Sequence, residues 1–181
     1  MSLNDDVKKV LVTEEEIKEI CKRLGHEISR DYEGKKLLLV SVLKGAVVFM
    51  ADLMREITCD CQIDFMAVSS YSGSKTTGVV KFKKDLDINP DGCDILLVED
   101  ILDSGITLAY LKNVLRDRNA ASIKVCAFLD KPTNRQADIS ADYVGKVIPD
   151  EFVIGYGLDY NEKYRNLPYV GVLDPKVYSA E

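Results

Sequence analysis

Two adjacent carboxylates, Glu99 and Asp100, close an apolar run in the segment DILLVEDILDSGITL, and a third, Asp103, follows soon after. Two carboxylates held about 5–6 Å apart repel each other by about 3 kcal/mol at an effective dielectric constant near 20. A partner that offsets this repulsion is therefore part of the expected site. Hydroxyl groups and hard divalent cations such as Mg²⁺ are the partners that suit carboxylate oxygens.

The turn DSGIT, residues 103–107, leads from these acids into the predicted helix TLAYLKNVL. Unpaired N–H groups and the helix dipole attract anions at such a helix start, so a phosphate fits there. A sugar phosphate would satisfy both features, because its hydroxyls suit Glu99 and Asp100 while its phosphate suits the turn. Mg²⁺ bridging ligand oxygens would offset the remaining negative charge.

A simpler interpretation makes Glu99 and Asp100 solvated strand-end residues and makes Asp103 a helix N-cap assisted by Ser104. The combined pattern V-E-D-x-x-D-S-G-x-T after an apolar strand is far more specific than any one of these acids. The chain has no G-x-x-x-x-G-K segment and no G-x-G-x-x-G after a strand. Nucleoside triphosphate and dinucleotide folds are therefore disfavoured.

Alternating strands and helices are predicted to position these residues. Thr13 and Glu16 form a capping-box pattern that opens a helix ending near Gly34. The later segments are KLLLVSVL (strand), GAVVFMADLMREI (helix), CQIDFMAV (strand), DILLVED (strand), TLAYLKNVLRDR (helix) and SIKVCAFLD (strand). This alternation predicts an α/β fold with a central parallel sheet flanked by helices. In such sheets ligands bind outside the carboxyl ends of the strands, where DILLV places its acids.

Two segments interrupt the alternation. The polar stretch 69–78, SSYSGSKTTG, is followed by VVKFKKDLDI, which could form a short antiparallel excursion. The tail from Ala141 is rich in Tyr, Val and Gly, and it is predicted to form short strands and loops of a small cap. We expect one domain over residues 1–181, with a core of about 35–140 and a small N-terminal and C-terminal hood of about 1–12 and 141–181.

Composition limits the function classes. The 181 residues are 46% apolar and 30% charged, as in an ordinary globular protein, and the net charge of −6 disfavours nucleic acid or an anionic membrane as a partner. No apolar run approaches a membrane span, and MSLNDDVKKV lacks the features of a secretory signal, so a cytoplasmic location is expected. The five cysteines form no C-x-x-C pair and are predicted to be reduced and mostly buried. His26 is the single histidine, which disfavours histidine-dependent catalysis.

The acidic segment resembles the phosphoribosyl-diphosphate signature of the type I phosphoribosyltransferases, and of their hypoxanthine-guanine branch in particular. VSVLKGAVVF resembles the pyrophosphate loop, carried by Lys44 and Gly45, and SSYSG resembles the lid, with Ser70 and Tyr71. FLDKPTNR resembles the purine-contact segment, and IPDEFVIGYGLDYNEKYRNLPYVGVL resembles the C-terminal hood. The resemblance covers nearly the whole chain.

The resemblance implies an enzyme of purine salvage. Such an enzyme transfers 5-phosphoribosyl from phosphoribosyl diphosphate to N9 of hypoxanthine or guanine, uses Mg²⁺ and releases pyrophosphate. It also implies a homodimer or homotetramer, and the apolar helix GAVVFMADLM is either a candidate interface or core. Two alternatives remain: a phosphoribosyltransferase for another base such as xanthine, adenine or orotate, and an RNA-binding regulator with this fold.

The resemblance also implies roles for the sugar-binding and phosphate-binding residues. Glu99 and Asp100 would bind the ribose hydroxyls and, together with Asp159, would hold Mg²⁺. The 5′-phosphate would lie against the loop formed by Asp103, Ser104, Gly105, Ile106 and Thr107. Asp103 would also act as the general base that accepts the N7 proton of the purine.

Base and pyrophosphate contacts complete the implied set. Lys131 would donate to O6 of the purine, Phe152 would stack on the ring, and the backbone of Val153 would read its pyrimidine edge. From the residues alone, the favoured interpretation of Phe152 and Val153 is instead that both are core residues of a strand. Arg165 would contact pyrophosphate, and the peptide between Leu43 and Lys44 would be cis.

Overall fold

The computed structural model describes residues 3–70 and 80–179, which form three α-helices, nine strands and short 3₁₀ turns. The helices are α1 (Glu14–Asp31), α2 (Val47–Glu56) and α3 (Ile106–Asp117). The strands are β1 (Val7–Val12), β2 (Leu37–Val42), β3 (Cys61–Ser70), β4 (Val80–Lys84), β5 (Asp94–Leu102), β6 (Ser122–Asp130), β7 (Tyr143–Val147), β8 (Val153–Ile154) and β9 (Val170–Leu173). The 3₁₀ turns are Leu3–Asp6, Pro132–Asn134 and Pro175–Val177.

The main sheet has six strands in the order β4-β3-β2-β5-β6-β7. The pairs within β3-β2-β5-β6-β7 are parallel, whereas β4 runs antiparallel to β3. The predicted α/β class and the antiparallel excursion are thus confirmed. A second, antiparallel sheet in the order β1-β9-β8 joins the N-terminal and C-terminal segments of the chain.

Burial on both faces explains the continuous apolar runs of the central strands. In β2, Leu37 and Leu39 pack in the cluster that contains α1 and α2, while Leu38 and Val40 pack in the cluster that contains α3. Successive side chains of a strand point to opposite faces, so a strand covered on both sides must be apolar at every position. Each fully buried side chain of this kind contributes about 1.5–3 kcal/mol.

The predicted capping box of α1 is confirmed. The Thr13 hydroxyl accepts the Glu16 N–H at 3.2 Å, and the Glu16 carboxylate accepts the Thr13 N–H at 2.9 Å. Two N–H groups that the helix itself leaves unpaired are thereby satisfied. The helix ends at Asp31, and Gly34 follows with φ +72°, a left-handed conformation that glycine adopts without strain.

The prediction that the whole tail from Ala141 forms the cap is wrong for Tyr143–Val147. This segment is β7, and it pairs in parallel with β6 at the edge of the main sheet. A Cβ on Gly145 would overlap the Phe128 carbonyl, so glycine allows the close approach of the two strands. A glycine within such a stretch is typical of a loop, whereas Gly145 allows β7 to pack closely against β6. We therefore use the name hood sheet for β1, β8 and β9 only.

All five cysteines are free within the described residues, three of them buried and two half-buried. His26 is exposed on α1. In the described part of the chain, no helix has the length and hydropathy that a membrane crossing requires.

Candidate active site

The acidic pair lies within β5 and not beyond its end, because the strand continues to Leu102. Adjacent strand residues face opposite sides of a sheet. Glu99 accordingly lines a pocket of about 190 Å³ with the loop that leads to α3. Asp100 faces the other side, where its Oδ1 accepts the Ile101 N–H at 2.8 Å and its Oδ2 lies against Gly45. The two carboxylates therefore line two different corners of the site. The first corner lies beside the loop that leads to α3, and the second lies beside Gly45.

Burial raises the pKa of both carboxyl groups. For Glu99, desolvation and then the charge of Asp100 raise the pKa well above its ordinary value. For Asp100, desolvation raises the pKa to about 6, although the Ile101 N–H and the Arg165 charge oppose the shift. The ionised pair is therefore costly without a partner, and hydroxyl donors or a cation would offset that cost.

We expect Asp100→Asn to stabilise the protein at pH 8 by about 1–3 kcal/mol, since one pKa unit corresponds to about 1.4 kcal/mol. A carboxyl whose folded pKa is raised lowers stability as pH rises from its unfolded pKa through its folded pKa. The gain should thus vanish below about pH 4, where the side chain is neutral in both states. Denaturant unfolding at pH 8 and pH 4 measures it.

The matched control is Asp60→Asn, which removes an exposed carboxylate from the connection between α2 and β3 and should leave stability within about 0.5 kcal/mol. Asparagine at position 100 can still accept the Ile101 N–H, so a stability loss would not follow from that bond. Equal stability of Asp100→Asn and the parent chain at pH 8 would contradict the cost that burial is expected to impose on the ionised Asp100 carboxylate.

The loop from Asp103 to Thr107 leaves the start of α3 open. The N-cap is Gly105 at φ +77°, and no side chain of the described residues caps the helix. The interpretation of Asp103 and Ser104 as capping residues is therefore wrong. First-turn N–H groups have no partner within a helix, so they remain available to an anion. Ile106 and Thr107 are exposed at this helix start.

Asp103 and Lys131 form a charged pair beneath this loop. The Lys131 Nζ lies 3.3 Å from Oδ2 of Asp103 and 3.3 Å from Oδ1 of Asp150, and Lys131 is buried. The second Asp103 oxygen, Oδ1, is also buried and has no hydrogen-bond partner among the described residues. A buried acceptor without a donor is unfavourable. This oxygen is therefore suited to receive an N–H group or a proton from a ligand.

Arg135 is a residue that the sequence analysis missed. Its guanidinium donates to the carbonyls of Asp103 at 2.8 Å, Leu102 at 3.1 Å and Ile139 at 2.6 Å, and it pairs with Asp130. These bonds hold the backbone that carries the Asp103 side chain and leads into α3. Arg135 lies within FLDKPTNR, but spacing alone does not distinguish it from a solvated loop residue.

The second corner forms where the segment between β8 and β9 meets the loop that follows β2. The Leu43–Lys44 peptide is cis, as the resemblance implied. A Cβ on Gly45 would overlap the Asp100 carboxylate, and a Cβ on Gly157 would overlap the Gly45 carbonyl. Two glycines thus allow three segments to meet, and Gly157 also needs its φ of +97°.

Arg165 organises the charges of this corner. Its Nη1 donates to the Gly157 carbonyl at 2.7 Å, and its Nη2 lies 2.8 Å from Asp159 Oδ1 and 3.5 Å from Glu162 Oε2. The same Glu162 oxygen lies 2.9 Å from the Lys44 Nζ. Glu162 is the second residue that the sequence analysis missed, because "DYNEKYR" read as a solvated loop apart from Asp159 and Arg165.

The three acids expected to hold a metal do not form one cluster. Among residues 3–70 and 80–179, no group of three or more metal-binding side chains is close enough to hold an ion. Glu99 and Asp100 face opposite sides of the sheet, and Asp159 Oδ1 pairs with Arg165 while its Oδ2 accepts the Glu162 N–H at 2.9 Å. Mg²⁺ in enzymes commonly takes only one or two carboxylates and completes its shell with phosphate oxygens and waters. The oxygen donors here fit a metal that is shared with a phosphorylated ligand.

The residues expected at the purine have different environments. Phe152 is 45% exposed, so its interpretation as a core residue is wrong, and its ring lies 5.7 Å from Tyr160 and 5.6 Å from Tyr178. Val153 is buried in β8, as a core residue would be. Ser70 ends β3, but its side chain and Tyr71 lie outside the described residues.

The fold described above agrees with the comparisons to known proteins. The model of the phosphoribosyl transferase domain matches residues 10–161, and the chain belongs to this family. Within the family it is similar to the hypoxanthine-guanine phosphoribosyltransferase of Staphylococcus aureus, with 52% identity over 178 residues, 98% of this chain and 99% of that protein.

A second group of relatives is longer. The bifunctional protein TilS/HprT of Listeria monocytogenes is 50% identical over 179 residues, and the chain spans 28% of its length. A solved hypoxanthine phosphoribosyltransferase from S. aureus has a TM-score of 0.94 and 51% identity, covering 97% of this chain and 96% of that one. The Trypanosoma cruzi enzyme has a TM-score of 0.93 at 39% identity, covering 99% and 98% of the two chains.

Proposed function

We propose that the chain transfers 5-phosphoribosyl from phosphoribosyl diphosphate to N9 of hypoxanthine or guanine, giving IMP or GMP and pyrophosphate in purine salvage. The observation that carries the proposal is the buried, unpartnered Oδ1 of Asp103 beside the Lys131 ammonium. A 6-oxopurine presents an N–H donor and a carbonyl acceptor on one edge, which matches this acceptor and this cation. The S. aureus relative of nearly equal length supports the same assignment.

The reaction forms the N9–C1′ bond and breaks the bond between C1′ and a pyrophosphate oxygen. The leaving pyrophosphate keeps the electron pair, and C1′ passes through an oxocarbenium-like state. Asp103 Oδ1 accepts the proton that the purine loses from N7. Lys131 donates to O6 and stabilises the charge that develops there, while Phe152 stacks on the ring and the Val153 backbone meets its pyrimidine edge.

The sugar and its phosphate bind along β5 and the start of α3. Glu99 and Asp100 accept hydrogen bonds from the ribose hydroxyls. The N–H groups and hydroxyls of the loop from Ser104 through Gly105 and Ile106 to Thr107 hold the 5′-phosphate, because the start of α3 lacks a side-chain cap. This arrangement also relieves the repulsion between the two acids.

Pyrophosphate binds at the second corner, against Lys44, Gly45 and Arg165. Asp159, together with Asp100 or Glu99, would supply the carboxylate oxygens for Mg²⁺, whose charge would offset that of the pyrophosphate. A guanidinium suits phosphate oxygens because it donates two parallel hydrogen bonds. The resemblance alone supports a role for Ser70 and Tyr71 in excluding water, which would otherwise hydrolyse the donor, because the Ser70 side chain and Tyr71 lie outside the described residues.

A panel of free bases tests the assignment. Pyrophosphate release is expected with hypoxanthine or guanine and phosphoribosyl diphosphate, and not with adenine or orotate, because Lys131 needs an acceptor at position 6 of the purine. Release with adenine but not with hypoxanthine would overturn the choice of base. Salt-dependent RNA binding without pyrophosphate release on any base would favour the regulator.

Lys131→Ala should weaken purine binding by about 10- to 100-fold, because a hydrogen bond to a charged group contributes about 1.5–3 kcal/mol. The Michaelis constant for hypoxanthine and the dissociation constant of the product nucleotide measure this effect. The control is Lys18→Ala, which removes an exposed lysine from α1. Unaltered purine affinity in Lys131→Ala would show that the contact with O6 is absent.

We further propose a homodimer or homotetramer in the cytoplasm. Val47 and Met54 of α2 and Ile63 of β3 are exposed apolar side chains, which supports the outer face of α2 as an interface. We also propose residues 1–181 as one domain, since Val12 and Val172 of the hood sheet share a core cluster with Leu39. The expected hood of 1–12 and 141–181 then loses β7 to the core.

A further inference from the structure

Glu162 joins the two cations of the pyrophosphate corner through one oxygen. Its Oε2 lies 2.9 Å from the Lys44 Nζ and 3.5 Å from Arg165 Nη2. Lys44 comes from the loop after β2 and Glu162 from the hood, so this contact closes the corner between segments that are 118 positions apart. This carboxylate oxygen occupies a position between a lysine and an arginine, and such a position also suits a phosphate oxygen.

We propose that Glu162 is an internal counter-ion that competes with pyrophosphate, free or as part of the donor, for Lys44 and Arg165. The inference rests on the proposed function of this corner as the pyrophosphate site. When the donor binds, its phosphate oxygens replace the Glu162 carboxylate on both cations. When pyrophosphate leaves, the carboxylate returns to them and assists release. Glu162 thus acts through Lys44 and Arg165 and touches no reacting atom.

The exposure of the contact supports an exchangeable role. The side chains of Lys44 and Glu162 are 67% and 63% exposed, and exposed ion pairs contribute only about 0.2–1 kcal/mol. A polyanion that carries several charges can therefore displace Glu162. The hydrogen bond from Lys44 lowers the pKa of Glu162, so the carboxylate is charged at neutral pH.

Asp159 differs from Glu162 in ways that separate their roles. Asp159 lies 2.8 Å from Arg165 and accepts the Glu162 N–H, and its side chain is 29% exposed. Both Asp159 oxygens are thus bound to residues of the segment between β8 and β9. The Glu162 side chain contacts only Lys44 and Arg165 among the ion pairs of the described residues, so it can move without disturbing the loop.

The test is direct binding of pyrophosphate to Glu162→Gln, which keeps the size of the side chain and removes its charge. Isothermal titration with sodium pyrophosphate, with and without MgCl₂, should give a dissociation constant about fivefold lower than that of the parent chain. The Michaelis constant for phosphoribosyl diphosphate should fall by a similar factor, while that for hypoxanthine should not change. Glu162→Ala should behave likewise.

A purely structural role predicts the opposite sign. If Glu162 instead positions Lys44 and Arg165 for the ligand, both variants will bind pyrophosphate more weakly, and this result or unchanged binding would overturn the inference. Glu19→Gln, on the exposed face of α1, removes the same charge far from the site and should leave pyrophosphate binding unchanged. Tighter pyrophosphate binding without turnover on any base would support the counter-ion and count against the proposed function alone.

Discussion

Asp103→Asn is expected to lower turnover by about 10²- to 10⁴-fold, the usual contribution of a positioned general base. The carboxylate oxygen that has no donor in the structure becomes part of an amide, which cannot take the purine proton. Binding of phosphoribosyl diphosphate should stay within a few-fold, because the phosphate loop uses backbone N–H groups. Steady-state kinetics and donor titration separate the two effects.

Asp150→Asn is the matched control for this prediction. Asp150 lies at the same 3.3 Å distance from Lys131 as Asp103 does, but its Oδ1 also accepts the Asn134 amide at 2.9 Å. Its replacement changes the charge around Lys131 equally and removes no unpartnered acceptor. Turnover should therefore fall by less than about tenfold. Wild-type turnover in Asp103→Asn would remove the base role from Asp103.

Arg135→Met should lower the free energy of unfolding by about 2–4 kcal/mol, somewhat less than the loss of one partner of a fully buried ion pair, because the Arg135 and Asp130 side chains are 18% and 17% exposed. Asp130 would keep a charge in a site where its side chain is 17% exposed. The Asp103 and Ile139 carbonyls would lose the guanidinium donor, and the Leu102 carbonyl would keep only the Lys131 N–H at 3.0 Å. Turnover should also fall, because those carbonyls include that of Asp103. Chemical denaturation and steady-state kinetics measure the two losses.

The double variant Arg135→Met with Asp130→Leu separates folding from positioning. Replacing both members of a buried ion pair by apolar residues is often neutral. The double variant should therefore regain most of the stability and yet stay slow, because the loop carbonyls still lack the guanidinium. Recovery of turnover together with stability would show that Arg135 supports the fold alone and does not position Asp103.

The acidic segment separates what residue spacing predicts from what strand pairing decides. Glu99, Asp100 and Asp103 were singled out by residue type and spacing, and the structure places them near the C-terminal end of β5, an interior strand of the main sheet. The pattern did not reveal that Glu99 and Asp100 face different corners. That result depends on the continuation of β5 to Leu102, which pairing with β6 enforces.

Residues that hold the site from a distance were not predictable. Arg135 reaches the Asp103 carbonyl across 32 positions, and Glu162 reaches Lys44 across 118. From the sequence, Arg135 and Glu162 look like ordinary charged loop residues, because the neighbouring residues give no indication of a partner so far along the chain. The same applies to β7, which becomes a strand only because β6 offers it an unpaired edge.

Short-range chemistry was therefore enough to predict the order of the helices and central strands, the capped start of α1 and the position of the acids beside the turn that leads into α3. Periodicity, capping and turn preference act over a few residues, so they can be inferred from the amino-acid sequence itself. Folding alone established which oxygen of Asp103 stays without a donor, which faces Glu99 and Asp100 take, and which cations Glu162 joins. Those outcomes depend on burial and on contacts between remote segments, and both exist only after the chain has packed.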